Sequence, residues 1–339
     1  MLEVSNRTPF PAACVPFTDA EGRDHLVVVV KATYQVEPRT GAATPAEEQV
    51  PVLHADEYHG EPGESSIRAE ADTCPPKPGC DVILAGHAYP RRPKDPYVDV
   101  GLTLGTLRKT VRVFGDRAWR KSLGGWQPSP PEPFERIPLI WERAFGGADT
   151  TSPKPEEHAW EPRNPVGTGL IATGSAERME GLALPNLEDP ANAVKRWKDR
   201  PDPMGFGIVG RGWQPRRDRA GTYDETWQEE RSPLLPADFD PRYFNAAPAG
   251  LVADGPLSGD ETLRIAGAHP SGEMLARLPR QTLTVTAWVK GELRRAQPAL
   301  DTVRIEPDEE RILLTWRASI PCPREFLHVR GVFIKEAAA

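Results

Sequence analysis

Between Gly115 and Pro248, glycine and proline cut this chain into short phrases that carry most of its tryptophans. They read Gly115-Asp-Arg-Ala-Trp119, Pro138-Leu-Ile-Trp-Glu-Arg-Ala-Phe-Gly-Gly147, Asn164-Pro-Val-Gly-Thr-Gly169, Leu184-Pro-Asn-Leu-Glu-Asp189 and Ala220-Gly-Thr-Tyr-Asp-Glu-Thr-Trp227, and the last runs from Ser232 to Pro248. A long loop-rich stretch is uncommon in a compact domain and is usually either disordered or functional. Disordered segments lack large apolar residues, whereas Trp, Phe and Leu recur throughout this one. The stretch is therefore read as ordered, pinned by its aromatics and shaped to present a surface.

Pro 38 and Gly 29 make up about a fifth of the 339 residues, against about 12% in ordinary proteins. With no fixed repeat, that composition favours many turns and short strands over long helices. A net charge of -7 argues against nucleic-acid binding, which wants a basic face. No apolar run approaches the roughly 20 residues of a membrane helix, and no basic segment followed by an apolar one opens the chain. The expectation is a cytoplasmic protein with no membrane or nucleic-acid partner. Four cysteines, Cys14, Cys74, Cys80 and Cys322, are too few and too scattered for a disulfide scaffold.

Both ends of the chain read as strands. Leu26, Val28, Val30, Ala32, Tyr34 and Val36 form one apolar parity; the other begins with Val27 and Val29 and turns polar at Lys31, Thr33 and Gln35. That pattern predicts a strand buried on both faces at its start and half-exposed at its end. A short buried strand is expected at 82–85. Val98, Val100, Leu102 and Leu104 alternate with polar or small residues, and Val111 and Val113 continue after a hairpin connection at 105–109. At the other end, Leu283, Val285, Ala287 and Val289 alternate with Thr282, Thr284, Thr286 and Trp288. Strands at 303–305 and 312–316 flank a turn at Glu306-Pro-Asp-Glu-Glu-Arg311, and a last strand is expected from Phe326 to Ile334. Short helices are expected at 189–197, capped by Asp189 with Pro190 in the first turn, and at 271–278, stopped by Pro279.

The predicted fold is mainly β: antiparallel, sandwich-like sheets built jointly by N- and C-terminal strands, with few short helices. It is a single domain over 1–339, in which strands at about 1–115 and 260–335 pack together. Residues 116–259 form a loop-rich Trp/Gly/Pro insertion without a core pattern of its own.

No catalytic motif stands out. Gly205-Phe-Gly207-Ile-Val-Gly210 has dinucleotide-fingerprint spacing, but Pro201-Asp-Pro-Met precedes it and Arg-Gly-Trp-Gln-Pro215 follows it, where the fingerprint needs a strand and a helix. It reads as a turn. Cys74 and Cys80 bracket a Pro-rich loop, without the two-residue spacing of a zinc knuckle. In His54-Ala-Asp-Glu-Tyr-His59 the two histidines share neither a helix face nor a strand face. No cofactor, metal or catalytic residue is expected. The adjacent carboxylates Glu47-Glu48, Glu156-Glu157, Glu229-Glu230 and Glu309-Glu310 point apart, although folding could still assemble a glycosidase-like pair.

Arg and Trp are close neighbours at Arg117/Trp119, Trp141/Arg143, Arg196/Trp197 and Arg211/Trp213. Such pairs suit cation–π stacking or partner contact; they equally suit loops anchored by buried tryptophan. The candidates for partner contact are Trp141, Phe145, Arg211, Trp213, Tyr223, Trp227, Phe239, Tyr243 and Phe244.

The same phrases carry a resemblance. Asn6-x-Thr8-Pro-Phe10, the Val27–Tyr34 strand with Lys31-Ala-Thr-Tyr, Asp81-Val-Ile-Leu-Ala-Gly86 and Val113-Phe-Gly-Asp-Arg-x-Trp119 begin the set. Pro138-Leu-x-Trp-Glu-Arg-Ala-Phe-Gly-Gly147, Asn164-Pro-x-Gly, Leu184-Pro-Asn-Leu-Glu188, Ala220-Gly-Thr-Tyr-x-x-x-Trp227, Pro233-Leu-Leu-Pro-x-Asp-Phe-Asp240, Leu300-Asp-Thr-Val303 and Trp316-Arg-Ala318 follow in order. Over nearly its whole length the chain resembles the type VI secretion effector adaptors, or chaperones, catalogued as domain of unknown function 2169. The Cys74–Cys80 loop is the one departure. The resemblance implies a non-enzymatic cytoplasmic helper that binds a toxic effector and promotes its loading onto the VgrG/PAAR spike. Two alternatives stand beside it: a β-sandwich hydrolase acting on carbohydrate through a loop-borne carboxylate pair, and a structural spike-associated component.

Overall fold

The computed structural model describes residues 3–92, 95–172, 179–322 and 328–337. Strand accounts for 41% of the described residues and helix for 7%, so the fold is mainly β, as the alternating patterns require. Sixteen strands build three larger sheets. In chain order they are β1 (Glu3–Asn6), β2 (Ala12–Thr18), β3 (Asp24–Val36), β4 (Ala43–Pro45), β5 (Cys80–Leu84), β6 (Tyr97–Leu104), β7 (Leu107–Phe114) and β8 (Leu187–Glu188). They continue with β9 (Val252–Ala253), β10 (Thr262–Ala266), β11 (Glu273–Arg277), β12 (Leu283–Val289), β13 (Glu292–Ala296), β14 (Ala299–Glu306), β15 (Arg311–Pro321) and β16 (Val329–Glu336).

The seven-stranded sheet runs β9-β5-β14-β15-β3-β2, with β4 also pairing β3. Its spine is the antiparallel pair β3 and β15, in register from Leu26↔Ile320 to Gln35↔Arg311. The five-stranded sheet runs β8-β7-β6-β10-β11, and the four-stranded one β1-β16-β12-β13. Each sheet joins strands from both ends of the chain. One continuous apolar core draws on all three, including Leu26, Val30, Val100, Val111, Ile265, Val285, Leu314 and Ile334.

Several expectations need correction. Lys31 and Thr33 are buried, at 4% and 1% exposure, because residues 46–72 roof that face. Lys31 Nζ bonds Asp72 at 2.8 Å, and the Thr33 hydroxyl accepts from the Val50 amide. The β6–β7 turn is only Gly105-Thr106, and pairing resumes at once with Leu107↔Leu104. Residues 271–278 hold the strand β11 in place of a helix: Met274 and Ala276 are buried while Leu275 and Arg277 are exposed, a period of two, and β10 supplies the pairing. Residues 189–197 form turns. The Asp189 carboxylate bonds the Ala191 amide, and Asp199 takes the amides of Lys195 and Arg196. Those side chains supply the bonds a helix would have made.

The turn after β14 is a 3-10 turn over Pro307–Glu309, closed by Glu310 in the left-handed region at φ 50. Phe326 lies outside the described residues; the last strand found there is β16. The middle of the chain does own a small core, made of Trp119, Phe145, Ile171, Met179, Leu184 and Val194. Helix is sparse, with α1 (Glu225–Glu230) capped by the Asp224 carboxylate on the Trp227 amide. Among the described residues no helix is long and apolar enough to cross a membrane.

Candidate partner-binding surface

The tryptophan-bearing phrases are knots first. Asn164 is fully buried, and its Nδ2 donates to the carbonyls of Trp141 at 2.8 Å and Phe145 at 3.0 Å. The backbone wraps so closely that a Cβ on Gly146, at φ +151, would meet the Asn164 carbonyl at 2.1 Å. One on Gly167 would meet Asn164 Nδ2 at 2.3 Å. The 138–147 and 164–169 phrases thus lock onto each other. The Asn186 amide likewise donates to the Phe114 carbonyl and the Asp116 carboxylate. Arg117 pairs with buried Glu188 at 2.6 Å, and its guanidinium lies over the Phe114 ring.

The face of the seven-stranded sheet roofed by residues 46–72 carries a largely buried polar row. Asp81, Thr302, Thr315 and Lys31 are cross-strand partners in register on β5, β14, β15 and β3. Lys77 pairs with Asp81 at 2.7 Å, and Arg317 pairs with Asp301. Burial pulls the Lys77 ammonium down, but adjacent Asp81 outweighs this and holds it above the ordinary lysine value. A cavity of about 260 Å³ lies over the row. Arg211 and Arg216 then clamp the roof together: Arg211 bonds Asp56 at 2.7 Å, and both arginines reach Glu70.

The nine candidate residues fall into three groups. Trp141 and Phe145 are 4% and 1% exposed, so neither can touch a partner; the knot around Asn164 needs them as filling. Arg211 is half-buried and engaged in the clamp. Trp213 stands edge-on to Trp141, with centroids 6.2 Å apart, and its ring lies against Gly210. Both residues are therefore partly anchors. The other five gather on one surface. Tyr223 and Trp227 are paired at 4.7 Å, and Phe239, Tyr243 and Phe244 lie within 5.5 to 5.8 Å of one another.

That surface is rigid. Thr222 donates its amide and hydroxyl to Asp238, Trp227 Nε1 donates to the Leu234 carbonyl at 2.9 Å, and Arg231 reaches Ala20 in the β2–β3 turn. Tyr223 is 54% exposed, and burial, helped by Tyr243, raises its phenol above the ordinary value. Sequence reasoning missed Phe17 of β2, whose ring meets Phe244 at 6.1 Å. Nothing local marks it, because the two are brought together only by folding. The arginine–tryptophan neighbours do not stack as pairs; the cation–π contacts are Arg112 on Tyr97, Arg117 on Phe114, Lys198 on Trp197 and Arg216 on Tyr243.

Gly205 and Gly210 sit against the rings of Trp141 and Trp213, and residues 205–210 are irregular backbone with no strand before them and no helix directly after. All four cysteines are free thiols, and burial raises both Cys74 and Cys80. Among the described residues no group of three or more His, Cys, Asp or Glu is placed to hold a metal ion.

Residues 21–317 match a family described as an uncharacterized protein conserved in bacteria, DUF2169. No curated protein and no solved structure matches the chain. With residues 21–317 of its 339 matched, the chain belongs to the DUF2169 family.

Proposed function

We propose that this protein is an adaptor that holds a protein partner on the aromatic surface of Tyr223, Trp227, Phe239, Tyr243, Phe244 and Phe17. The partner is a type VI secretion toxic effector, delivered from this surface to the VgrG/PAAR spike. The observation that carries the reading is the clustering of these partly exposed rings on a framework already fixed by hydrogen bonds. Tryptophan and tyrosine are enriched among binding hot spots, since they offer large contact area with a polar handle, and phenylalanine adds apolar area. A pre-ordered surface also loses little entropy on binding. The effector identity rests on the family resemblance of the phrases.

The test is titration of the purified protein with a candidate type VI effector toxin, followed by calorimetry. Tyr223→Ala is expected to weaken binding at least about tenfold, the range of a hot-spot truncation, with an unchanged melting temperature. Trp213 is a poorer probe, because its removal also strips a wall from Trp141. Wild-type affinity in Tyr223→Ala and Phe244→Ala alike would overturn the reading.

A further inference from the structure

The pairing of β7 is incomplete. β6 covers its whole length on one side, but β8 covers only Arg112 and Val113 on the other. In an antiparallel strand alternate residues turn their N–H and C=O away from a given neighbour. From Leu107 to Val111 no described strand, loop or side chain receives the groups turned away from β6. A free strand edge is a template for pairing with another chain.

This open stretch leaves Arg108 and Thr110 exposed. It forms one wall of a cleft of about 640 Å³, within the range of about 300–1,000 Å³ typical of ligand sites. Pro203, Met204 and Pro215 line it with accessible apolar surface, over buried Trp141, Val209 and Pro248. Lys109 projects from the strand into the cleft and donates one bond, to the Ala249 carbonyl at 2.9 Å. An ammonium has three donors, and among the described residues no carboxylate forms an ion pair with this one. Burial pushes the Lys109 ammonium down to about 8, the mark of a cation that lacks a counter-ion. The cleft's carboxylates are engaged elsewhere, Asp202 with Arg163 and Asp218 with Gln214.

We propose that this cleft takes an extended peptide segment, added as a strand along Leu107–Val111, with an acidic side chain seated on Lys109 between apolar neighbours. Main-chain bonds to a sheet edge supply affinity in this mode, and pockets for alternate side chains supply specificity. The apolar walls suit the neighbours, and the unpaired ammonium suits the acid. The site is separate from the aromatic surface and does not depend on it.

The test is selection of a random twelve-residue peptide display library on the purified protein, then fluorescence anisotropy of the enriched peptides. Enriched peptides are expected to carry a Glu or Asp flanked by apolar residues. Changing that acid to its amide, or Lys109→Met, should weaken binding at least tenfold, while Lys109→Arg retains it. Hydrogen exchange should slow at Arg108 and Thr110 when peptide is bound. Tyr223→Ala should leave peptide affinity unchanged, which keeps this result distinct from that of the adaptor test. No enrichment, peptides without an acid, indifference to Lys109→Met, or protection elsewhere would each overturn the proposal.

Discussion

Asp81 has no exposed surface, and its carboxylate takes four donors: Lys77 Nζ, Asn245 Nδ2 and the amides of Ala246 and Ala247. Removing one partner of a buried ion pair is far costlier than the pair's net worth, because the other charge stays buried. Asp81→Ala is expected to lose about 3–5 kcal/mol in urea unfolding, and Asp81→Asn less, since it keeps one acceptor. Lys109 works the opposite way. Its folded value, about 8, lies below the unfolded one, so between about pH 8 and the ordinary lysine value of about 10.4 the unfolded chain binds more protons. Stability from this group therefore rises across that window and is lowest beneath it. The other charged groups facing the cleft are Arg108, Arg163, Asp202 and Asp218. Lys109→Met should melt above wild type at pH 7, with the gap closing toward pH 10. A gap that stays constant with pH would refute this.

Among the elements, the loop knots behave as the chain's substitute for helices. Asn164, fully buried, gives two carbonyls their donor. Asn164→Ala should cost about 1–3 kcal/mol, the penalty for leaving buried polar groups unmet, and should red-shift tryptophan emission as Trp141 is released; an unshifted spectrum with an unchanged urea midpoint would contradict the knot. The same logic explains β11. Its local pattern fits either a short helix or a strand, and the decision comes from β10, which offers a hydrogen-bonding edge that a helix could not use. At 189–197 the signals for a helix start are present, yet Asp189 and Asp199 spend their carboxylates on turns.

Across the whole molecule, each larger sheet needs both ends of the chain: β3 leans on β15, β5 on β14, β6 on β10 and β1 on β16. A chain ending at residue 260 is expected to lose cooperative unfolding, measured by circular dichroism against urea, because every sheet loses strands. Two-state melting of that fragment would show the N-terminal strands to be self-sufficient. The sequence alone determined the strands: period-two patterns at 98–104 and 283–289 write one buried face directly into the chain, and a Pro/Gly-cut middle forbids long helices. It also singled out five of the six rings of the aromatic surface, since large apolar residues in loops must either pack or bind. Tertiary structure decided the rest. Lys31 reads as exposed until Asp72, 41 residues away, is folded over it. Trp141 and Tyr223 look alike in their phrases, yet one is buried and the other 54% exposed. Phe17 and the open edge of β7 carry no local sign at all. Burial, ion pairing and edge exposure depend on which distant segments cover a residue, and that is fixed by packing rather than by neighbours in the chain.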